Sequence, residues 1–409
     1  MLVIIPGIGV RCWSSLVFVV MLVTFLHIAD SSSFTFSPER TAGRAYFPAA
    51  HNKQTISVEG RTTAWPGGVS FDFQGVKVST RFTNTSLLAL NMIKEGNITD
   101  FFVVLMDGIF NAIFSTQDWI SGQSTTLILA NNIDPSMEHD VVVFKSTEPM
   151  WSELVPNANF VTFESFSGDV GMQLLLPLTN SSPISFKLEF LGDSITAGYC
   201  NLCDVFNSTN DPGYESFYLS WPTQICNALN ATCHTAAWSG YGMVMNCCGG
   251  ETLMSDVWKR TLATVPSKNG SDPHGTIPEN EWDFSLYIPD AVIINLGTND
   301  NLGSRPNLIS LYNQTYLNLI KDAAKIYGPN VHFFLACGPM SDSYCDEVNW
   351  VIQQSIDLQI KASFLDFRGF LNGTFGESCC GHPGSQIDQA MAKYATTVIK
   401  TMLLEKVSR

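Results

Sequence analysis

The sequence predicts an α/β protein with two domains, an all-β domain over residues 34–183 and an α/β domain over residues 184–409. Its 409 residues are too many for one ordinary domain and suit two. The apolar pattern changes near residue 183, from short alternating segments to strand-like runs that alternate with helical stretches. The cysteines beyond the first 30 residues all follow residue 199, so disulfides would crosslink only the second domain.

The first domain is expected to be a β-sandwich. Short apolar segments lie between turn residues, and several alternate apolar with polar side chains, as in the run from Val69 to Phe73. Half-buried strands of a sandwich have this pattern. The predicted strands are 69–73, 76–82, 101–105, 125–129, 140–145 and 160–163.

The second domain follows a predicted linker at 178–183 and is expected to be a three-layer α/β fold with a parallel sheet. The predicted strands are 187–191, 291–296, 331–336 and 364–367, and the predicted helices are 218–229, 308–326 and 383 to about 404. Pro383 suits the first turn of the last helix. The apolar stripe of that helix consists of Ile387, Met391, Ala395, Val398 and Met402.

Residues 1–30 are predicted to be a signal peptide. Arg11 precedes an apolar run over residues 16–26, and small residues follow at Ala29, Ser31 and Ser33. The run is shorter than the roughly 20 apolar residues that a membrane span needs. We therefore expect a secreted, extracellular protein with no membrane attachment after cleavage, and an uncleaved anchor is the alternative.

The cysteines and glycosylation sequons agree with secretion. Of eleven cysteines, Cys12 lies in the predicted signal peptide, and the even number that remains permits up to five disulfides. A metal site at Cys200-x-x-Cys203 is the alternative, but no second pair at zinc-finger spacing follows with suitable histidines. Eight Asn-x-Ser/Thr sequons predict a glycoprotein. They lie at Asn84, Asn97, Asn180, Asn207, Asn230, Asn269, Asn313 and Asn372.

Composition argues against a disordered chain and against two classes of partner. The chain is 45% hydrophobic and 14% charged, which argues against disorder. Its net charge of −15 argues against nucleic acid or an anionic membrane, because both need a basic surface. The sequence gives no indication of the oligomeric state.

Ser194 is the candidate nucleophile. The triplet Gly192-Asp193-Ser194 directly follows a predicted strand and precedes a helix-like stretch, which puts the serine on a tight turn above the sheet edge. The same triplet also serves as an ordinary helix N-cap, so it does not identify a site by itself.

Three further residues could supply the base and the oxyanion donors that a serine nucleophile needs. Asn299 follows the predicted strand 291–296, Gly240 lies in a glycine-rich loop, and His382 stands just before the last helix. A serine nucleophile needs a base, which His382 can supply. The N–H groups of Ser194 and Gly240 and the Asn299 amide can stabilise an oxyanion. The pattern indicates acyl transfer.

At these residues the sequence resembles the SGNH (GDSL-type) hydrolases, a flavodoxin-like three-layer family. Gly192-Asp193-Ser194 matches the nucleophile block, Gly240 the glycine block, residues 297–300 the Gly-x-Asn-Asp block, and His382-Pro383 the histidine block. A narrower resemblance is to carbohydrate esterase family two, whose members place a jelly-roll domain before the SGNH domain. It rests on the stretch 191–199, on 282–300, and on 139–145 in the first domain.

This resemblance implies an enzyme that removes O-acetyl groups from oligo- or polysaccharides such as xylan or mannan. It also favours Trp282 as a wall of the substrate site. The chemistry requires no cofactor and no metal. A general short-chain ester or lipid hydrolase and a carbohydrate-binding protein without turnover are the alternatives.

The sequence departs from the family pattern beside the histidine. The residue three positions before His382, usually an aspartate, is Cys379. We therefore predict a Ser194–His382 dyad in which a main-chain carbonyl orients the imidazole, with Glu377 or Asp366 as alternative third members. We also predict a disulfide from Cys379 or Cys380 to Cys337 or Cys345 that holds the histidine loop.

Overall fold

The computed structural model describes residues 44–65, 67–150, 159–177, 185–202, 212–265, 280–300 and 306–407. The predicted signal peptide, the linker at 178–183 and Cys203 lie outside these ranges, as do the sequons at Asn180, Asn207 and Asn269. No helix within these ranges combines the length and the hydropathy that a membrane span needs.

Two antiparallel sheets make up the first part of the chain. Their strands are β1 (Arg44–Pro48), β2 (Ile56–Glu59), β3 (Thr63–Trp65), β4 (Gly68–Phe71), β5 (Lys77–Thr83), β6 (Leu87–Glu95), β7 (Phe101–Met106), β8 (Ile109–Ser115), β9 (Ser124–Asn131), β10 (His139–Lys145), β11 (Phe160–Asp169) and β12 (Gln173–Leu175). One sheet has the order β3-β4-β11-β6-β9, with β1 beside β11. The other has the order β12-β5-β10-β7-β8, with β2 beside β5.

The core of this part joins side chains from both sheets. Along β5, buried and half-buried residues alternate, because successive side chains point to opposite faces of the sheet. Val78 and Phe82 of β5 belong to the same apolar cluster as Leu88 of β6 and Phe163 of β11. Each of the six predicted strands overlaps an observed one, but β1, β2, β3, β6, β8 and β12 were not predicted.

The second part alternates strands and helices. Its elements are β13 (Lys187–Gly192), α1 (Ser194–Ala197), α2 (Trp221–Leu229), β14 (Thr232–Ala237), α3 (Met254–Val257), β15 (Ala291–Asn295), α4 (Pro306–Tyr327), β16 (His332–Cys337), α5 (Cys345–Asp357), β17 (Lys361–Asp366), β18 (Ser378–Cys379), β19 (His382–Pro383) and α6 (Ser385–Val407). Short 3-10 helices lie at Ala49–His51, Pro212–Tyr214, Phe217–Leu219 and Phe284–Leu286.

A parallel sheet of order β14-β13-β15-β16-β17 forms the middle layer. The order reverses between β13 and β15, and ligands of open α/β sheets bind at the carboxyl ends of the strands at such a point. The four predicted strands correspond to β13, β15, β16 and β17. β14 was not predicted, because Thr232–Ala237 carries too few large apolar residues to show a strand pattern.

Helices cover both faces of this sheet, which confirms the predicted three layers. On one face, Ile225 of α2 and Met391 of α6 pack in one cluster with Phe190 of β13. On the other face, Ile320 of α4 and Val351 of α5 pack in a second cluster, together with further residues of β13, β15 and β16.

The last helix differs in detail from its prediction. It begins at Ser385, because Pro383 belongs to β19. Ile387, Met391 and Ala395 are fully buried as expected, but the buried stripe then continues through Ile399 and Leu403. Val398 is half-buried and Met402 is 39% exposed. The 3.6-residue period carries the buried face one position further along than the predicted stripe.

A buried ion pair joins the two parts of the chain. The Arg61 side chain, between β2 and β3, donates from Nη2 to Glu189 Oε1 of β13 at 2.7 Å, and both side chains are almost completely buried. Arg61 also donates to the carbonyl groups of Trp258 and Arg260. The Glu189 carboxylate accepts a further hydrogen bond from the Tyr327 hydroxyl at 2.7 Å. These partners offset part of the cost of burying two charges.

A second buried carboxyl group strengthens the same junction. The Asp72 side chain accepts the N–H groups of Ala263 and Thr264 at 3.0 and 2.8 Å. Burial nevertheless raises the pKa of Asp72 to about 6. Gln74 donates to the Ala237 carbonyl at the end of β14, 3.1 Å away. The first part is therefore fastened to the sheet that carries the candidate site.

Disulfides within the described residues differ from the predicted ones. Cys337 and Cys345 bond to each other, so neither can bond to Cys379 or Cys380 as predicted. Cys380 bonds instead to Cys200, which also removes Cys200 from the alternative metal site. The remaining disulfides in these ranges are Cys226–Cys233 and Cys247–Cys248. Of the sequon asparagines that are described, Asn84, Asn97, Asn230 and Asn372 are exposed and Asn313 is half-buried.

We expect Arg61→Met to lower the free energy of unfolding by about 3–5 kcal/mol, because it leaves the Glu189 carboxylate buried without its counter-charge. Denaturant unfolding would measure the loss. The double variant Arg61→Met/Glu189→Gln should recover part of it. Arg81→Met, which removes more exposed ion pairs to Glu138 and Asp140, is the control and should cost about 1 kcal/mol or less. Equal losses for Arg61 and Arg81 would contradict this assignment.

Candidate active site

Ser194 begins the short helix α1, directly after β13 at the carboxyl end of the sheet. The turn before it is fixed by Asp193, whose carboxyl group caps α1 by accepting the N–H of Ile195 at 3.0 Å. Burial raises the pKa of Asp193 to about 7, and the nearby Asp300 and Glu148 carboxyl groups act in the same direction. Asp193 therefore holds the turn.

His382 lies against Ser194. Its Nε2 is 2.8 Å from Ser194 Oγ, and its Nδ1 is 3.0 Å from the main-chain oxygen of Cys380. A carbonyl oxygen only accepts, so the hydrogen sits on Nδ1 and Nε2 is left to accept from the serine hydroxyl. Burial lowers the pKa of His382, and the Cys380 carbonyl partly opposes this.

The two carboxylates that were alternative third members do not bond to the imidazole. Asp366 forms a two-pronged ion pair with Arg368, at 2.8 and 2.7 Å. Glu377 is exposed. The group on Nδ1 of His382 is the Cys380 carbonyl, so neither carboxylate orients the imidazole.

Gly240 lies in the loop that follows β14. Its φ of +83° is a conformation that favours glycine, and a Cβ atom there would come within 3.1 Å of Cys247 Sγ. The loop is tied to the nucleophile strand, because Trp238 donates its N–H to the Gly192 carbonyl at 3.1 Å. Gly240 itself accepts from the N–H of Cys247 at 2.9 Å.

Asn299 reaches the same edge from the loop after β15. Its Nδ2 donates to the Tyr241 carbonyl at 2.8 Å and lies 3.4 Å from Asp193 Oδ2. The first bond is short and fixes the amide beside the Gly240 loop, whereas the second is long and weak. The next residue, Asp300, accepts the N–H groups of residues 243–245 at 2.7–3.0 Å and so holds that loop.

At this edge of the sheet, the candidate base His382 lies against the candidate nucleophile Ser194. The predicted oxyanion donors Gly240 and Asn299 lie in loops that follow β14 and β15, the two neighbours of β13. Among the described turns and loops, no main-chain carbonyl accepts the N–H of Ser194 or of Gly240. Within the same ranges, no group of three or more His, Cys, Asp or Glu side chains is arranged to hold a metal ion. The arrangement is suited to acyl transfer.

Glu148, three residues after β10, is a residue near the candidate site that sequence reasoning missed. Its Oε2 accepts the N–H of Ser239 at 2.5 Å, directly beside Gly240. Its own N–H donates to Glu215 Oε1 at 2.6 Å. Burial raises the pKa of both carboxyl groups above the usual range. No local pattern around Glu148 could have revealed this contact, because its partner lies 91 residues away.

Tyr199 was also missed as a neighbour of the base. Its ring meets the His382 ring edge to face, with the centroids 5.0 Å apart. This packing limits rotation of the imidazole. The signal was present in the sequence, because Tyr199 ends the stretch 191–199 on which the family resemblance rests.

Trp282 is not brought to the other predicted site residues. It is 5% exposed and packs against the Arg61 guanidinium at 5.4 Å and the His234 ring at 5.7 Å. The main-chain N–H of Trp282 donates to the Lys259 carbonyl. The tryptophan belongs to the junction between the two parts of the chain, where little of its surface is left for a sugar ring.

Comparisons with known proteins agree on one kind of domain. Residues 190–385 match the GDSL-like lipase/acylhydrolase family. The chain is also 30% identical over 350 residues to the cellulase/esterase CelE of Acetivibrio thermocellus. That alignment covers 83% of this chain but only 38% of the length of CelE.

Solved structures extend the similarity over both parts of the chain. A family two carbohydrate esterase from Clostridium thermocellum, in complex with cellohexaose, is 29% identical with a TM-score of 0.71. The match covers 85% of this chain and 99% of that one. An acetyl xylan esterase from Butyrivibrio proteoclasticus shares the fold at 19% identity, with a TM-score of 0.74 over 88% of this chain and 99% of that one.

We expect a fluorophosphonate probe to label Ser194, because the hydroxyl is paired with an unprotonated imidazole nitrogen at 2.8 Å. Peptide mapping by mass spectrometry would locate the label. His382→Ala should reduce labelling by at least about 100-fold, as expected for the loss of a general base. Glu377→Ala, on the same segment but exposed, is the matched control and should label normally. The reverse ranking of these variants would contradict the dyad.

Proposed function

The chain contains a GDSL-like acylhydrolase domain with close homologues among family two carbohydrate esterases, and from this we propose that it is a secreted serine esterase that removes O-acetyl groups from carbohydrates. The contact that carries the proposal is the 2.8 Å pair between His382 Nε2 and Ser194 Oγ. A hydroxyl becomes a competent nucleophile when a base can accept its proton.

In the first half of the reaction, Ser194 Oγ attacks the acetyl carbonyl carbon while His382 Nε2 takes the hydroxyl proton. The imidazolium that forms donates from Nδ1 to the Cys380 carbonyl, 3.0 Å away. The tetrahedral intermediate then collapses, and His382 returns the proton to the departing sugar hydroxyl. Water attacks the acetyl-serine in the second half while His382 Nε2 takes a proton from it. The intermediate then collapses, His382 returns the proton to Ser194 Oγ, and acetate is released.

Negative charge on the carbonyl oxygen is stabilised by three donors in this proposal. They are the N–H of Ser194, the N–H of Gly240 and the Nδ2 group of Asn299. The Asn299 amide is already fixed by its bond to Tyr241, so little reorganisation is needed when charge develops. Losing one such donor typically costs about 3–4 kcal/mol of transition-state stabilisation.

The relatives favour a carbohydrate ester over a lipid ester. The homologue CelE is named a cellulase/esterase, and the family two esterase was solved with cellohexaose bound. Because this chain spans 38% of CelE, the activity of the whole relative is not carried over. The choice of acetyl as the acyl group that is transferred to Ser194 rests on the resemblance at residues 191–199 and 282–300.

The assignment of the first domain and the secretion of the protein belong to the same proposal. We take the two antiparallel sheets to be the jelly-roll domain of the family two architecture, with the domain boundary near residue 183. Secretion after cleavage near residue 30 and glycosylation are supported by four disulfides within the described residues and by exposed sequon asparagines.

We expect the protein to release acetate from acetylated xylo- or manno-oligosaccharides, measured by an enzyme-coupled acetate assay. Ser194→Ala should abolish release, and Asn299→Ala should lower kcat/KM by roughly 100- to 1,000-fold through loss of one oxyanion donor. Lys321→Ala, an exposed change on α4, is the control and should keep full activity.

Two other outcomes would replace the proposal. Rapid hydrolysis of long-chain esters without acetate release from the sugars would identify a lipid hydrolase. Binding of the oligosaccharide by calorimetry, with no turnover of any ester, would identify a carbohydrate-binding protein.

We also expect activity to persist into mildly acidic solution. Catalysis needs neutral His382, and burial lowers the pKa of His382 below its ordinary value of 6.5. The acid limb of the kcat/KM profile should therefore lie below pH 6.5, whereas a partner carboxylate would raise it. A stopped assay on an uncharged acetyl ester would measure the profile. An acid limb above pH 6.5 would show that the base is not the buried imidazole described here.

A further inference from the structure

The carbonyl that holds His382 belongs to a strained turn. β18 and β19 form a hairpin in which Cys379 pairs with His382, so the loop consists of Cys380 and Gly381. Both loop residues have positive φ, +50° and +75°, as a two-residue type I′ turn requires. For a residue other than glycine, this conformation costs roughly 1–2 kcal/mol. The Cys380 backbone therefore needs an external support to stay in this conformation.

That support comes from the loop of the nucleophile. Cys380 is bonded through its sulfur to Cys200, which lies six residues after Ser194 and is 2% exposed. The intervening turn is tight, because the N–H groups of Gly198 and Tyr199 both bond to the Ser194 carbonyl at 3.1 Å. The disulfide thus connects the turn that carries the nucleophile to the residue whose carbonyl orients the base.

We propose that the Cys200–Cys380 disulfide is a positioning element of the catalytic dyad, which fixes the Cys380 carbonyl against His382 in place of an aspartate side chain. This inference rests on the proposed esterase function. The aspartate of a triad holds the imidazole in one tautomer and orientation. Here a carbonyl performs that task, and a carbonyl can do so only while its own peptide is held still.

A neighbouring hydrogen-bond network does not perform the same task. The Asn201 side chain donates from Nδ2 to the Asp388 carboxyl group at 3.0 Å, and the main-chain carbonyl of Asn201 accepts the N–H of Ser385 at 3.1 Å. Both partners lie in α6, after His382. The network therefore anchors the start of the helix, whereas the disulfide anchors the turn at residues 380–381.

The test compares two pairs of cysteine substitutions in the full secreted chain. In Cys200→Ser/Cys380→Ser, we expect kcat for acetate release to fall about 10- to 100-fold, the cost of roughly 1 Å of misplacement, with KM changed less than about threefold. The control is Cys226→Ser/Cys233→Ser, which removes a disulfide of the same domain that joins α2 to β14. It should lower the melting temperature but leave kcat unchanged below the transition.

The pH profile separates positioning from general loosening. Ser194 Oγ, the Cys380 carbonyl and the Tyr199 ring face the imidazole. Release of the turn admits water to this group, so the acid limb of kcat/KM should move toward pH 6.5 in the Cys200/Cys380 variant only. A variant with unchanged kcat and an unchanged acid limb would overturn the proposal.

A second measurement tests the proposal if the Cys200→Ser/Cys380→Ser variant fails to fold. The folded native enzyme is titrated with a reductant, the freed thiols are alkylated, and peptide mapping reports which disulfide has opened. Loss of kcat should follow the opening of Cys200–Cys380. Full activity in protein with that bond open would overturn the inference while leaving the esterase proposal intact. Absence of acetate release from the untreated native enzyme would instead refute the esterase proposal itself.

Discussion

The buried pairing of Arg61 with Glu189 is the interaction on which the rest of the structure depends. A guanidinium group and a carboxylate have been removed from water at the junction of the two parts, and they tolerate this only because neighbouring groups bond to them. Three aromatic rings, those of Phe73, Trp282 and Phe284, surround the Arg61 guanidinium. Charge in an apolar setting permits few alternative arrangements, so this ion pair restricts how the two parts can pack.

A fixed junction allows the first domain to contribute to the site of the second. Glu148 extends across it and accepts the Ser239 N–H, next to Gly240, the proposed oxyanion donor. The loop is thus held by Glu148 on one side and by the Tyr241–Asn299 bond on the other. Preorganisation of this kind matters because donors that are already in place do not have to reorient when charge develops. The first part of the chain therefore helps to hold the loop that lies beside Ser194.

The sequence predicted those features that depend on local pattern. Ser194 and Asn299 follow apolar strands, and parallel strands end at a common edge, so their proximity could be foreseen. The main-chain acceptor for His382 could be foreseen from the missing aspartate. The predictions that were wrong concerned contacts that depend on the tertiary structure. Trp282 faces Arg61 because of how the domains pack, and Cys380 bonds to a residue 180 positions away. Neither fact has a signature in the neighbouring residues.

The bond between Cys200 and Cys380 has a consequence for the timing of activity. A chain still in a reducing compartment has no such bond, and its histidine turn would be unsupported. If the bond positions the base, the newly made protein is about 10- to 100-fold less active toward acetyl esters before the bond forms. Full activity would then arrive with oxidative folding, so that formation of this one disulfide acts as an activation step.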